Sequence, residues 1–286
     1  MKVLIFGGNG LLGQNLIQAK PMQAEVLACG LEEASFIPLK ANYKTVDVTN
    51  ETALKGVVES YQPDWIFNAA AMTNVDLCET EIALCEQLNR DSVKWMVETG
   101  VPVAHVSTDY VFDGLNGPYR EEDKMNPLGV YGRVKMESET LVLTNPKNLI
   151  VRTMLLWGLG ERLRPSYVDF VRDSLREGKR IKIVKDQLGN PTLASDLALA
   201  MWDLTSKGCK GLYHVSGPEV LSRLDWAIKI ADYFGLDKGL IDSCTTEELN
   251  QAAKRPLNSG FVLDKVRGVL DFKTKGVVEQ LDLTQN

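Results

Sequence analysis

Apolar and polar positions form two alternating patterns along the first 155 residues: short apolar runs, and longer segments in which apolar residues have helical spacing. The predicted strands are KVLIFG, EVLACG, a strand ending near TVDV, WIFNAA, VPVAHVST and NLIVRT. The predicted helices between them are LLGQNLIQAK, ETALKGVVESY, CETEIALCEQLNRDSVKWMVETG and YGRVKMESETLVL. Strands that alternate with helices favour right-handed crossovers and a parallel sheet covered on both faces. The pattern therefore predicts a doubly wound α/β domain over residues 1–155.

The second half of the chain has longer helical segments, shorter strands and more loop. SYVDFVRDSLREGK, ASDLALAMWDLTSK and SRLDWAIKIADYFG predict helices there. No Gly/Ser-rich linker separates the halves, so we expect them to pack tightly together. Ligands of open α/β sheets bind at the carboxyl ends of the strands. Residues 156–286 are therefore expected to form a smaller α+β lobe that binds substrate, with some of its elements free to return to the first domain.

Composition narrows the class of protein. Hydrophobic residues make up 44% of the 286 residues and charged residues 24%, which is typical of a globular chain. The net charge of −6 argues against a nucleic-acid partner, because phosphate binding needs a basic surface. No apolar run reaches the ~18 residues of a membrane span, and the start MKVLIFGGNG is unlike a signal peptide. We therefore expect a cytoplasmic protein with no membrane partner.

The chain offers little material for catalysis by histidine, cysteine or a bound metal. Its five cysteines are scattered without a CxxC pair, so we expect reduced thiols. His105 and His214 stand in apolar runs, so a core or surface role is favoured over a catalytic one. We expect no metal site, although carboxylates alone could hold magnesium.

A glycine-rich turn joins the first predicted strand to the first helix. GGNGLLG places Gly7, Gly10 and Gly13 in a G-x-x-G-x-x-G pattern, with Leu11 and Leu12 opening the helix. Glycines let the backbone approach a pyrophosphate, which the helix N-terminus attracts electrostatically. At the first strand–helix turn of an alternating chain, this pattern favours a Rossmann-type dinucleotide site over a simple tight turn.

The residues expected around the adenosine half of a dinucleotide do not distinguish clearly between NAD and NADP. A carboxylate often ends the second strand and binds the ribose, but here Gly30 ends it, with Glu32 and Glu33 beyond and no arginine for a 2′-phosphate. Gly30 is expected to leave room beside the ribose. Asp47, followed by Val48, is a candidate for binding the adenine or, equally, an acid near a helix N-cap.

Small and polar residues end the next two predicted strands. Ala69, Ala70 and Ala71 would let a flat cofactor lie close to the backbone, or they serve ordinary close packing. In VSTDYVFDG, Thr108 and Asp109 follow the next strand, where polar side chains have no role in a core. These residues are candidates for binding cofactor and substrate at the carboxyl edge of the sheet.

Tyr131 and Lys135, in YGRVK, are four residues apart and share one face of the predicted helix. Spacing alone does not separate a catalytic pair from two polar residues on a solvated face. Their position after a glycine-rich first turn and a strand that ends in a hydroxyl favours a catalytic pair.

Together these features resemble the extended short-chain dehydrogenase/reductase family. Within it, STDYVFDG, DQLGNPT (residues 186–192) and RPLNS (residues 255–259) resemble the dTDP-4-dehydrorhamnose reductases, and the resemblance runs nearly the length of the chain. It implies NAD(P)H-dependent reduction of a nucleotide-linked 4-keto-6-deoxy sugar in the synthesis of deoxysugar precursors. NADP(H) is the expected cofactor, with NAD(H) as an alternative, and a homodimer is one expected assembly.

The resemblance also implies a role for each candidate. Tyr131 would protonate the substrate oxygen, and Thr108 would hydrogen-bond the same oxygen. Lys135 would lower the pKa of Tyr131 and hold the nicotinamide ribose. Related dehydratases carry an Asp-Glu pair after the threonine, whereas this chain has Asp109-Tyr110, which favours plain carbonyl reduction.

Two departures from the family pattern leave the substrate open. RTSW(V/L)YG becomes RTMLLWG, so Leu155 stands where a tryptophan would contact the sugar nucleotide. Trp157 either supplies the missing ring or belongs to the core. The following G-N-N-F-type segment becomes Arg164-Pro-Ser166-Tyr167. Two alternatives therefore remain: a non-catalytic NADP-binding subunit resembling the methionine adenosyltransferase β subunit, and a nucleotide-sugar epimerase.

Overall fold

The computed structural model describes residues 1–37 and 41–285, and in this part of the chain a seven-stranded parallel sheet forms the centre. The strands are β1 Lys2–Phe6, β2 Glu25–Gly30, β3 Asn42–Thr45, β4 Trp65–Asn68, β5 Val103–Thr108, β6 Leu149–Thr153, β7 Leu156–Trp157, β8 Ile181–Val184, β9 Leu188–Gly189, β10 Thr192–Leu193, β11 Gly211–His214, β12 Leu221–Ser222 and β13 Ile241–Cys244. The helices are α1 Leu11–Gln18, α2 Glu51–Tyr61, α3 Val75–Thr80, α4 Ile82–Glu86, α5 Ser92–Glu98, α6 Val130–Leu143, α7 Tyr167–Arg176, α8 Ala194–Ser206, α9 Arg223–Tyr233, α10 Thr246–Leu249, α11 Asp264–Arg267 and α12 Val277–Asp282.

The strands of the central sheet lie in the order β3-β2-β1-β4-β5-β6-β11, and each neighbouring pair is parallel. β1 lies inside the sheet, and β2 and β3 follow it toward one edge. The chain then crosses to the other side of β1, where β4, β5, β6 and β11 extend the sheet to the opposite edge. The direction of building reverses between β1 and β4, which is where ligands bind in such sheets. The predicted doubly wound α/β fold is confirmed.

Alternating residues of β1 show why the sheet is covered on both faces. Val3 and Ile5 lie in the hydrophobic cluster on the α1 and α8 side. Leu4 and Phe6 lie in a separate cluster with α2 and α5. All four side chains have no solvent exposure, because successive residues of a strand point to opposite faces and each face is packed by helices.

Part of the second half joins this central layer. β11 pairs with β6 at the edge of the sheet. On α8, the Trp202 indole donates a hydrogen bond from Nε1 to the Leu16 carbonyl at 2.9 Å, and its ring lies 4.9 Å from that of Phe67. Helices α7, α9 and α12 and strand β8 pack around a second hydrophobic cluster that includes Trp157 and Trp226, and we call this part of the structure the second lobe.

The structure corrects one predicted boundary and refines another. The long helix predicted after β4 is divided into α3, α4, a π-helical turn at Gln87–Asp91, and α5. The first break falls at Glu81, whose φ of −104° and ψ of 54° are not helical. β3 ends at Thr45, the first residue of the TVDV run near which it was predicted to end. The Val46 amide still donates to the Gly30 carbonyl at 2.8 Å, and the Val46 side chain is buried in the core against α2.

Candidate active site

A cavity of about 530 Å³ opens at the carboxyl ends of β1, β4, β5 and β6. Most of the predicted site residues line it: Gly10, Leu11, Leu12, Ala69, Ala70, Ala71, Thr108, Asp109, Tyr131, Lys135 and Leu155. Four predicted cofactor residues are not part of its wall: Gly7, Gly13, Asp47 and Val48. The glycine turn, the alanine run and the Tyr–Lys helix therefore meet around one space.

The glycines of the first turn have two different tasks. Gly7 has a φ of +83°, and a Cβ there would lie 2.7 Å from the Ala69 carbonyl carbon. A Cβ on Gly13 would collide with the Gly7 carbonyl oxygen. These two glycines let the turn, α1 and β4 approach each other, while Gly10 is the N-cap of α1 and faces the cavity. The helix N-terminus thereby points into the space, as an anionic diphosphate requires.

The expectation of open room beside Gly30 is wrong. A Cβ on Gly30 would lie 2.6 Å from the Tyr43 hydroxyl oxygen and 3.0 Å from Glu32 Oε2. The Asn9 amide donates to Glu32 Oε2 at 3.0 Å and fixes this carboxylate near the glycine turn. A carboxylate therefore lies at the end of β2 after all, that of Glu32, two residues beyond Gly30.

Asp47 and Val48 lie outside the cavity wall, near the start of α2. Asp47 is exposed, and its Oδ1 accepts hydrogen bonds from the Thr49 amide at 2.8 Å and the Thr49 hydroxyl at 2.7 Å. Asn50 is the N-cap of α2, where its side chain accepts from the Ala53 amide. Val48 is buried in the cluster between the sheet and α2. Both interpretations of Asp47 stay predictions, because its carboxylate lies near the start of a helix and is also accessible to a ligand.

Tyr131 and Lys135 lie on one buried face of α6. The first amide of this helix, from Val130, donates to the Glu79 carboxylate at 2.8 Å, which fixes the helix start. Burial raises the pKa of Tyr131 well above its ordinary value, and a hydrogen bond with the Thr108 hydroxyl only partly opposes this shift. Tyr131 therefore carries its proton at neutral pH.

Lys135 is 2% exposed, and burial lowers its pKa to about 8. Its Nζ donates to the Val106 carbonyl at 2.7 Å and lies 3.0 Å from His105 Nε2. The prediction that Lys135 lowers the pKa of Tyr131 does not hold in this geometry. Burial dominates the pKa of the phenol, and the contacts of the lysine are to β5.

Thr108 and Asp109 form a short hydrogen-bonded chain at the end of β5. The Thr108 hydroxyl donates to Asp109 Oδ1 at 3.0 Å, and the Ser259 hydroxyl donates to Asp109 Oδ2 at 2.5 Å. Burial raises the pKa of Asp109, while these two hydrogen bonds oppose the shift. The Thr108 hydroxyl must rotate away from Asp109 before it can donate to a substrate.

The two distant sequence motifs meet beside this chain. The Leu188 amide of DQLGNPT donates to the Leu257 carbonyl of RPLNS at 2.6 Å, and the Ser259 amide donates back to the Leu188 carbonyl at 3.2 Å. Arg255 forms a two-pronged ion pair with Asp76, with N–O distances of 2.8 and 2.7 Å. RPLNS therefore connects the second lobe to α3 and to the end of β5.

Leu155 lines the cavity, whereas Trp157 does not. Leu155 has a φ of +46°, an uncommon conformation for a residue with a branched side chain. The side chain of Trp157 is 2% exposed in the second cluster, and its Nε1 donates to the Gln280 side chain at 2.7 Å. Trp157 is thus a core residue, as the second of the two interpretations required.

Three further polar groups in the cavity wall were given no site role from the sequence, although Ser107 was recognised as a polar residue at the end of its strand. The hydroxyls of Ser107 and Thr153 are buried there without a hydrogen-bond partner in residues 1–37 and 41–285. Arg223, the first residue of α9, lines the same cavity and stacks on the Tyr167 ring at 5.1 Å. No local pattern marks Thr153 and Arg223, because distant segments bring them to the cavity. Their free polar atoms fit an enclosed ligand with polar and anionic groups.

Two further observations concern the part of the chain that the structure describes. No helix there is both long and apolar enough to cross a membrane. Within the same residues, no three His, Cys, Asp or Glu side chains are grouped so that they could hold a metal ion.

Comparison with known proteins agrees with this geometry. The family described as RmlD substrate binding domain matches residues 1–284. The chain is 34% identical to dTDP-4-dehydrorhamnose reductase of Aggregatibacter actinomycetemcomitans, across 93% of this chain and 92% of that protein. It is 31% identical to methionine adenosyltransferase 2 subunit beta of Danio rerio, across 90% of this chain and 81% of that protein.

A solved structure matches over the whole fold. The structure of dTDP-4-dehydrorhamnose reductase from Bacillus anthracis, in complex with NADP, is 28% identical with a TM-score of 0.85, and the match covers 100% of this chain and 99% of that one. The family match over nearly the full length, together with the 34% identical relative, shows that the chain belongs to the RmlD substrate binding domain family, as its motifs predicted.

Proposed function

We propose that the chain reduces the 4-keto group of a nucleotide-linked 4-keto-6-deoxy sugar with NADPH or NADH, in the synthesis of deoxysugar precursors. The observation that carries the proposal is the convergence of Tyr131, Lys135 and Thr108 on the cavity that the N-terminus of α1 also faces. A bound nicotinamide cofactor supplies the hydride. The remaining steps belong to side chains of the protein.

The cavity wall suits a dinucleotide. Gly10, Leu11 and Leu12 would hold the diphosphate at the N-terminus of α1. The alanine run of residues 69–71 leaves a flat wall at the end of β4. Lys135 would hold the nicotinamide ribose, and the free hydroxyls of Ser107 and Thr153 remain available at the base of the cavity for polar groups of a ligand.

Tyr131 would give its proton to the substrate oxygen as negative charge develops there. Tyr131 carries its proton throughout the neutral range and can therefore donate it, while burial, which raises its pKa, makes the phenol a weaker acid. Thr108 would turn its hydroxyl from Asp109 to the same oxygen and stabilise its charge. The Asp109 carboxylate would remain near Tyr131 and Thr108 as a hydrogen-bond acceptor. It would also keep the hydrogen bond that the Ser259 hydroxyl donates to it.

The second lobe would select the substrate. Arg223 places a guanidinium in the cavity wall, where it can pair with the diphosphate of a nucleotide sugar. Leu155 lines the same wall and offers an aliphatic side chain in place of an indole. We therefore assign cofactor binding mainly to residues 1–155 and substrate binding mainly to residues 156–286, with α8 and β11 serving the first unit.

A panel of nucleotide 4-keto sugars with NADPH and NADH tests the proposal. Loss of reduced cofactor should follow addition of at least one 4-keto-6-deoxy sugar nucleotide, with dTDP-4-dehydrorhamnose as the first compound. The Leu155→Trp variant belongs in the same panel. An aromatic contact is worth roughly 0.5–1.5 kcal/mol, so its restoration should change kcat/KM by no more than about tenfold. The proposal is wrong if purified, folded protein that binds cofactor consumes none with any member of the panel.

The second candidate is a non-catalytic NADP-binding subunit. It is favoured by the 31% identity to methionine adenosyltransferase 2 subunit beta, close to the 34% identity to a reductase. Cofactor binding without turnover, and stable association with a methionine adenosyltransferase, would support it. An epimerase would instead co-purify with oxidised cofactor and show no net consumption of it.

We also propose a cytoplasmic location and a homodimeric assembly without nucleic acid. Free cysteines at all five positions are compatible with a reducing compartment. Light scattering coupled to size-exclusion chromatography measures the assembly, and a monomeric mass at micromolar concentration would contradict the dimer.

A further inference from the structure

His105 lies on β5 directly beneath the candidate catalytic lysine. Its side chain is 1% exposed, and its Nε2 is 3.0 Å from Lys135 Nζ. Sequence reasoning placed this histidine in the core or at the surface, and its burial agrees with a core position. Its contacts, however, are polar on both ring nitrogens.

Asn68, at the end of β4, determines which ring nitrogen carries the proton. The Ala70 amide donates to Asn68 Oδ1 at 3.1 Å, so this oxygen faces the backbone. The other side of the Asn68 amide, its NH₂ group, then faces His105 Nδ1 at 3.1 Å. Because an amide NH₂ can only donate, Nδ1 must accept. In a neutral imidazole the single proton is therefore on Nε2.

Ser138 on α6 supports the same assignment. Its hydroxyl donates to the Lys135 carbonyl at 2.7 Å, so its oxygen is left as an acceptor for His105 Nε2 at 3.1 Å. The Nε2 proton thus points toward Ser138 Oγ and Lys135 Nζ. An N–H in this position attracts a neutral amine through its lone pair and repels an ammonium.

The charges around the pair leave the imidazole neutral. Burial and the positive charge of Lys135 lower the pKa of His105 well below its ordinary value. Two groups favour the charged lysine: Glu139 on the next turn of α6, and the Cys85 thiol on α4. Glu139 is largely neutralised by its two-pronged contact with Arg152, at 2.8 and 2.7 Å. The His105 N–H is therefore the nearby polar group that can determine whether the Lys135 amino group is protonated.

We propose that His105 is a positioning residue, which holds the Lys135 amino group at the cavity wall and sets the pH at which that group takes up a proton. The kinetic consequence rests on the proposed function, because Lys135 matters for turnover only if the chain is a reductase. The tautomer and the proton uptake are properties of the protein alone and can be measured without turnover.

Nitrogen-15 NMR of histidine-labelled protein, without a histidine tag, tests the tautomer directly, since the chain contains two histidines. His105 should carry its proton on Nε2 between about pH 6 and about pH 9. This range begins about two units below the Lys135 pKa of about 8 and ends about one unit above it. Its ring signals should shift as Lys135 titrates, and this shift should vanish in Lys135→Met. A proton on Nδ1 would overturn the proposal. Ring signals that do not shift while Lys135 titrates would also overturn it.

Two substitutions of His105 separate its effect on the position of the Lys135 amino group from its effect on the pH at which that group is protonated. His105→Asn keeps an acceptor for Asn68 but removes the atoms that reach Lys135. His105→Gln places an amide near the position of Nε2, where its oxygen can turn toward an ammonium. We expect His105→Gln to raise the pH of proton uptake by about half to one unit, the effect that one neutral hydrogen bond carries. His105→Asn should weaken NADP⁺ binding about three- to tenfold because Lys135 loses its support.

Calorimetric measurement of NADP⁺ affinity across the pH range provides the readout for both variants, and the pH profile of kcat/KM provides a second one. His214→Gln is the matched control, because it replaces the other buried histidine and retains an acceptor for Arg152. It should leave both profiles unchanged. Folded His105 variants with the wild-type pH dependence and affinity would overturn the proposal. If wild-type protein showed the NMR result but no turnover, only the reductase function would fail.

Discussion

At the scale of single residues, burial sets the protonation of the Tyr131–Lys135 pair in opposite senses. It raises the pKa of the phenol and lowers that of the ammonium, so both groups favour their neutral forms more than they would in water. A neutral phenol is the form that can donate a proton during reduction. Tyr131 therefore holds a proton to donate, although burial makes it a weaker acid, and Lys135 changes charge near pH 8.

Replacing Tyr131 by Phe should retain cofactor binding and lower kcat by about 10²–10⁴-fold, because only the proton donor is lost. Steady-state kinetics and calorimetric NADP⁺ binding measure the two effects. Tyr233→Phe, which removes a surface hydroxyl bonded to Asp282, is the control and should be silent. Wild-type kcat in the Tyr131→Phe variant would show that another group supplies the proton.

Glu32 should influence the choice between NADPH and NADH. Its carboxylate is held by Asn9 and Tyr43 over the end of β2, where it can accept from a ribose hydroxyl and repel a 2′-phosphate. At about 4 Å in water, like charges repel by about 1 kcal/mol, so Glu32→Gln should improve the NADPH/NADH affinity ratio roughly fivefold. Parallel titrations with both cofactors measure this ratio, with Glu33→Gln as the control. An unchanged ratio would place the ribose away from β2.

At the scale of elements, the Asp76–Arg255 pair joins α3 to the RPLNS segment. Arg255 is the main cause that lowers the pKa of Asp76 below its ordinary value of 3.8. Because the folded pKa lies below the unfolded one, the pair stabilises the protein above the unfolded pKa, and this contribution is lost as the pH falls through the folded pKa. Asp76 is 42% exposed, so solvent screens the pair and reduces its contribution.

Asp76→Asn should therefore cost about 1 kcal/mol or less of unfolding free energy near neutral pH and nothing below the folded pKa. It should raise the KM for the sugar nucleotide more than it lowers kcat, because RPLNS also places Ser259 on Asp109. Urea unfolding at several pH values and steady-state kinetics measure the two effects. Asp242→Asn, which breaks an exposed pair with Arg180, controls for loss of a surface charge. An equal loss of stability at all pH values would exclude the ionic mechanism.

The central elements were predictable from the sequence, because each strand and helix from β1 to β6 has a local periodicity that its own residues provide. The division of the helix after β4 was not, since Glu81 lies in an uninterrupted helical pattern and leaves the helix through its backbone angles. In the site, Tyr131, Lys135 and the glycine turn were found through motifs. Glu32 and His105 were missed as functional neighbours, because their partners are distant in the sequence and only the fold brings them together.

At the scale of the whole molecule, residues 1–155 do not complete the sheet that they begin. β11 covers the edge of β6, and α8 covers α1 through Trp202. A fragment of residues 1–155 should therefore expose an unpaired strand edge and an apolar helix face, and it should aggregate or remain unfolded. Expression and circular dichroism of the fragment measure this. A cooperative thermal transition of the fragment alone would contradict it.

The RPLNS segment contacts the sheet half through Arg255 with Asp76, Ser259 with Asp109, and Asn258 with the backbone carbonyls of Gly114 and Gly117. The groups proposed to bind the nicotinamide cofactor and to transfer the proton belong to the sheet half, and Arg223 and Leu155 in the cavity wall come from later in the chain. Mutations can therefore accumulate on the later segments while the redox machinery stays intact. Such an arrangement allows substitutions in the later segments to change which ligand the cavity accepts without a change of fold.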